Sequence, residues 1–131
     1  MAPMPEALEL TLEAPPSVRV GAGATFVLRM RNRGREPLTV YLRGRTITYD
    51  FHVYDAAGVV VWQRLFNQVV PAIIQAVTLE PDGHREFRET WSLETNGGAA
   101  LAPGHYSVVG QLPNDQPRPY QTGAEGFDIV R

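Results

Sequence analysis

The chain has 131 residues, a formal net charge of −2, no cysteine, and twelve basic residues that are all arginine. That length fits one domain over 1–131, and a domain of this size buries roughly two thirds of the surface its unfolded chain exposes, so a core forms without metal or disulfide staples. Lack of cysteine excludes a disulfide scaffold, a thiol nucleophile and a thiolate metal site, and the slightly acidic balance argues against nucleic acid as a partner, which needs a basic face.

From the amino terminus, MAPMPEALEL lacks the basic flank and apolar core of a signal peptide, and no apolar run approaches the length that spans a bilayer. The expectation is a soluble chain with no membrane insertion, cytoplasmic as written and extracytoplasmic if it is a fragment of a longer protein. Residues 7–14 alternate Leu8, Leu10 and Leu12 against Glu9, Thr11 and Glu13, the period of a strand with one wet face. A proline- and glycine-rich connection, PPSVRVGAG, follows. Residues 24–33 alternate again, with Phe26, Leu28 and Met30 on one side and Arg29, Arg31 and Arg33 on the other, which reads as a solvated sheet face.

Further strands are expected at PLTVYLR, at 49–55, 58–66, 84–93, 105–112 and 125–130, separated by turn signals at the spacing of a β-sandwich. Residues 66–80 break the pattern. The stretch is ambiguous on pattern alone, and a short helical turn before Pro71 with a strand after it is one reading compatible with it. The core expected from these faces is Phe26, Leu28, Met30, Phe51, Val53, Trp62, Phe87, Trp91, Tyr106 and Val108.

The stretch YDFHVYDAAGVVVWQ, 49–63, carries the densest polar chemistry. In a strand Phe51 and Val53 face the core, which leaves Asp50, His52 and Tyr54 outside. Asp55-Ala56-Ala57-Gly58 reads as a tight turn joining two antiparallel arms. An Asp50–His52 dyad could orient a base, but catalysis also needs a nucleophile in reach, and the only serines, Ser17, Ser92 and Ser107, sit in no nucleophile elbow. No pair of His52, His84 and His105 has metal-ligand spacing, and the glycine-rich pieces lack the lysine of a P-loop. The expectation is therefore a non-enzymatic module with no catalytic residue, no metal and no cofactor.

The order N-x-G-x-x-P-L-T-V (Asn32 to Val40), Y-D-F-x-V-x-D-x-x-G-x-x-V-W (Tyr49 to Trp62), Phe66, V-T-L-x-P-x-G-x-x-x-F-x-x-x-W (Val77 to Trp91) and P-G-x-Y-x-V-x-G (Pro103 to Gly110) resembles the intracellular proteinase inhibitor family, BsuPI, over about residues 24–112. Two positions depart from the family pattern. Gln63 follows the tryptophan where a serine is usual, and Pro81-Asp82-Gly83-His84 replaces a Pro-Gly-Glu turn. The resemblance implies an all-β, immunoglobulin-like antiparallel β-sandwich of seven to nine strands that binds and inhibits a subtilisin-like serine protease.

Inhibition asks for an exposed segment on a rigid scaffold, so that docking costs little entropy. Two segments qualify: RLFNQVVPAIIQ, 64–75, and LPNDQPRPYQTG, 112–123. The candidate protease-contact residues within them are Leu65, Phe66 and Tyr120. Each segment also has a purely structural reading, as a sheet crossover and as a stiff hairpin loop. The alternative for the whole chain is a structural or adhesive immunoglobulin-like domain of a larger envelope or secreted protein. Oligomeric state is not assigned.

Overall fold

A computed structural model describes residues 4–131. Among them are eleven strands and no helix: β1 (Leu8–Glu13), β2 (Ser17–Arg19), β3 (Ala24–Asn32), β4 (Leu38–Arg43), β5 (Asp50–Tyr54), β6 (Val60–Gln63), β7 (Ile74–Leu79), β8 (His84–Trp91), β9 (Gly104–Leu112), β10 (Tyr120–Gln121) and β11 (Glu125–Val130). Nine have four residues or more, and the other two, β2 and β10, are short pieces within segments that read as connections. The fold is an all-β, immunoglobulin-like sandwich. One sheet has the order β1-β3-β8, the other β2-β11-β9-β5-β6 with β10 also on β9, and β4 and β7 form a separate two-stranded ribbon. All the long pairings are antiparallel; only β2 runs parallel to its neighbour β11.

Apolar alternation sets the layers. Phe26, Leu28 and Met30 of β3 and Phe51, Val53 and Val108 of β5 and β9 are fully buried between the sheets, with Trp91 and Tyr106 nearly so. Phe26 stacks on Trp91 at 6.0 Å between ring centroids and tilts against Phe51 at 5.6 Å. The sheets come close where β9 has Gly110, since a Cβ there would sit 3.0 Å from a Leu28 methyl. Tyr106 enters β9 after Pro103-Gly104 and donates its hydroxyl to the Ala102 carbonyl at 2.7 Å, a local brace of the kind found at sandwich corners.

Two residues expected in the core, Trp62 and Phe87, are only partly buried against it. Both point inward, but they stand on β6 and β8, each at the open edge of its sheet, so no further strand covers them. Tyr49 and Arg64 close that side. The Tyr49 ring packs on Phe87 at 5.2 Å and its hydroxyl donates to the Arg88 carbonyl at 2.8 Å, while Arg64 pairs with Glu89 at 2.7 Å.

The arginine row of β3 faces outward as alternation requires, but Arg29 and Arg31 are paired rather than free. Arg29 bonds Glu86 on β8, and Arg31 bonds Glu9 on β1 and Asp82. The hydrogen bond from Arg29 holds the Glu86 carboxyl below its ordinary pKa. Asn32, fully buried, explains its place in the sequence motif: its amide donates to the carbonyls of Glu36 and Leu79 and its oxygen accepts the Gly34 N–H, which ties β3 to the ribbon. No helix of the described residues is long and apolar enough to cross a membrane.

Candidate functional site

The β4–β5, β6–β7 and β9–β10 loops (44–49, 64–73 and 113–119) leave the sandwich at one end. The first two enclose a hollow of about 210 Å³ lined by Ile47, Tyr49, Leu65, Val69 and Val70, and the third meets Arg43 and Val70 around another of about 190 Å³. Both fall below the roughly 300 Å³ at which small-molecule pockets usually begin. Val70 lines both hollows, so the two loop segments that sequence offered as alternatives form one surface.

The 64–73 loop is fixed at both roots. At its start, Asp50 Oδ1 accepts the N–H of Phe51 at 2.9 Å and of Leu65 at 3.0 Å. Arg64 donates its backbone N–H to the Phe51 carbonyl and its guanidinium to the Tyr49 carbonyl, and lies 3.8 Å over the Tyr49 ring. At its end, the Ile73 carbonyl accepts the Gly44 N–H at 2.8 Å and the Gln75 amide donates to the Gly44 carbonyl. Between the roots the chain turns at Asn67, which takes a left-handed φ of 57°, and exposes Phe66 and Val69 at 49% and 92%. No helix forms before Pro71; the segment is turn and extended chain.

The three candidate contact residues differ in placement. Phe66 is exposed, Leu65 is half-buried in the wall of the first hollow, and Tyr120 packs partly against the core, where burial and then the nearby Asp115 charge raise its phenol pKa. Val69, more exposed than any of the three, stands two residues before Pro71 and had no distinguishing sequence signal beyond that. The 113–119 loop is a stiff β9–β10 hairpin connection. Arg43 braces it through a side-chain bond to the Asn114 carbonyl at 2.6 Å, and Asn114 is itself buried.

The 49–63 stretch is the expected hairpin, with Val53 opposite Trp62 and a bulge after Val53. The expectation that Asp50 and His52 lie free on the wet face is corrected. Asp50 is buried and His52 half-buried, and His52 Nε2 lies 2.8 Å from Asp50 Oδ2. The face is the outer one, but the returning chain at Arg64 and Leu65 covers it. Every Asp50 contact is to backbone or to His52, so the pair holds a loop rather than serving a nucleophile. On the same outer face His105 bonds Asp128 at 2.9 Å with Ser107 two residues along, yet no hydrogen bond joins His105 to Ser107. Among the described residues no three His, Asp or Glu gather in a way that could hold a metal.

Fold likeness extends to pieces of much larger proteins. The chain aligns over 97% of its length with 10% of dimeric latent PorU from Porphyromonas gingivalis, at 19% identity and a TM-score of 0.54. It aligns over 98% with 32% of the alkylpurine DNA glycosylase AlkC of Pseudomonas fluorescens, and over 95% with 16% of a Listeria innocua β-glucosidase, each at 10% identity and a TM-score of 0.52. The chain thus spans a third or less of these structures, and the likeness concerns the sandwich alone. No curated protein matches it significantly in sequence. The sequence model of the intracellular proteinase inhibitor, BsuPI, matches residues 10–116, which takes in the Asn32 staple, the Asp50–Trp62 hairpin and two of the three loops at the shared end; the chain belongs to that family.

Proposed function

We propose that the chain is a non-enzymatic inhibitor of a subtilisin-like serine protease and that it docks through the 64–73 loop. The observation that carries this reading is the pairing of exposed apolar side chains, Phe66 and Val69, with a loop fastened at both roots. A fastened loop has already lost most of the conformational freedom that binding would otherwise remove. An extended apolar segment can then lie along the substrate-binding edge of the enzyme while one side chain fills its specificity pocket. Phe66 is the side chain best placed to do so; Leu65 stays in the loop wall, and Tyr120 supports the neighbouring hairpin from the core side.

The test is titration of purified domain against a subtilisin-type protease, with Phe66→Asp and Val69→Asp beside the unmodified chain and a cooperative thermal melt required of each. Reversible inhibition saturating near one to one is expected. Phe66→Asp should weaken it by about a hundredfold or more, because a carboxylate driven into an apolar pocket is desolvated without a partner. Digestion of the unmodified domain as an ordinary substrate would end the reading.

A further inference from the structure

The ends of the sheets are protected unequally. On the outer sides of the three-stranded sheet, β1 carries Glu9 and Glu13, and β8 carries Arg85, Glu86, Arg88 and Glu89. The edge strand β2 is three residues long. On β6 the Gln63 backbone is capped in both directions by one side chain, Asn96, whose Oδ1 accepts the Gln63 N–H at 2.8 Å and whose Nδ2 donates to its carbonyl at 2.9 Å. These are the ordinary devices that stop one sheet from adding to another.

The β7 strand has none of them. It pairs with β4 alone among the described residues, from Leu38–Leu79 to Arg43–Ile74. From Leu65 to Leu79 no residue is charged, and β7 itself holds no proline or glycine. Its outward face shows Ile74 and Ala76 beside Tyr41 of β4, all exposed, and Ile73 continues the apolar surface. An unpaired, uncharged strand rich in β-branched residues is a template for another strand.

Charge at its two ends selects the partner. Glu80 follows β7 directly, whereas Arg43 and Arg45 flank its beginning, Arg43 opposite Ile74 and Arg45 through its carbonyl, which accepts from Gln75. A second β7 laid antiparallel brings each Glu80 toward the arginine end of the other copy; a parallel one would set Glu80 against Glu80. The strand is thus complementary to itself about a two-fold axis. We propose that β7 pairs antiparallel with β7 of a second copy of this chain, joining two β4–β7 ribbons into one four-stranded sheet. The pairing uses the strand edge and does not depend on protease inhibition.

Sedimentation equilibrium of the 131-residue chain from about 1 to about 500 µM covers the range expected of an interface this small. Monomer at low concentration and dimer at high concentration is expected. Ala76→Lys, at an exposed site near the strand centre, should hold the chain monomeric throughout, since the axis brings the two lysines close together. Glu80→Arg should weaken the dimer about tenfold, because symmetry repeats the lost contact, and Glu80→Arg with Arg45→Glu should restore it. Far-ultraviolet circular dichroism and a cooperative melt establish that each variant is folded. A chain monomeric at every concentration, a dimer indifferent to Ala76→Lys, or a double variant no tighter than Glu80→Arg would each overturn the proposal.

Discussion

Asp50 and Asp55 stand at the two ends of β5, and each collects two backbone N–H bonds on a single carboxylate oxygen. Asp55 Oδ1 takes those of Ala57 and Val59, two and four residues on, at 2.9 and 3.0 Å. Asp50 Oδ1 takes that of its neighbour Phe51 and that of Leu65, fifteen residues away. The Asp55 bonds close a turn at the surface. Those of Asp50 lie under a covering loop, and its second oxygen faces His52. The same side-chain chemistry shapes a local bend at one end of the strand and roots the candidate contact loop at the other.

Replacing Asp50 by alanine is the strongest way to test that difference. The change strands two donors, Phe51 N–H and Leu65 N–H, and an unsatisfied buried group costs about 1 to 3 kcal/mol. A loss of about 3 kcal/mol in chemical denaturation is expected. Amide exchange at Leu65 should accelerate while the core strands stay protected, because the root of the loop opens before the sandwich does. If inhibition runs through the 64–73 loop, Asp50→Ala should also weaken it at temperatures where the variant is fully folded. A loss below about 1 kcal/mol would place Asp50 in the same class as Asp55 and remove the contrast.

The contrast also marks what the sequence could disclose. Asp55 was legible because its partners lie within one turn, and Asp-x-x-Gly states the geometry: Gly58 takes a φ of 82° and donates its N–H to the Asp55 carbonyl at 3.0 Å. Phe26, Leu28, Met30, Phe51 and Val53 were legible because a strand alternates with a fixed period. Alternation also assigned Asp50 and His52 to the outer face, which is right as a direction and misleading as to solvent. Whether that face is wet depends on where Arg64 and Leu65 return, and nothing in local periodicity records this. The meeting of the 64–73 and 113–119 loops around Val70 was hidden for the same reason, as was the short parallel β2, whose partner lies at the other end of the chain. Trp62 and Phe87 were read on the correct face, but edge position depends on strand order.

His52→Ala separates the two roles Asp50 combines. It removes the bond at Oδ2 and leaves both backbone bonds at Oδ1, so the loop root should survive. A loss of about 1 kcal/mol is expected, the ordinary worth of one partly buried hydrogen bond, with Leu65 exchange little changed. If His52→Ala opens Leu65 as far as Asp50→Ala does, the histidine is holding the carboxylate in position, and the loop depends on the pair rather than on Asp50 alone.

The smallest effect belongs to Asp55, and it is where acceptor geometry and charge can be told apart. Asp55→Ala leaves the Ala57 and Val59 N–H groups without their acceptor, but water reaches this turn, so about 0.5 to 1 kcal/mol should be lost rather than the full cost of a buried orphan. Asp55→Asn keeps an oxygen in the same place and tolerates the same turn, so thermal melts should shift by no more than a few tenths of a kcal/mol. Leu65 exchange and protease titration should be unchanged in both, since β5 and its bonds to β9 stand between this turn and the loop end. Should Asp55→Asn prove as costly as Asp55→Ala, the negative charge rather than the oxygen's position organises the turn, and the parallel between the two aspartates fails at the surface end.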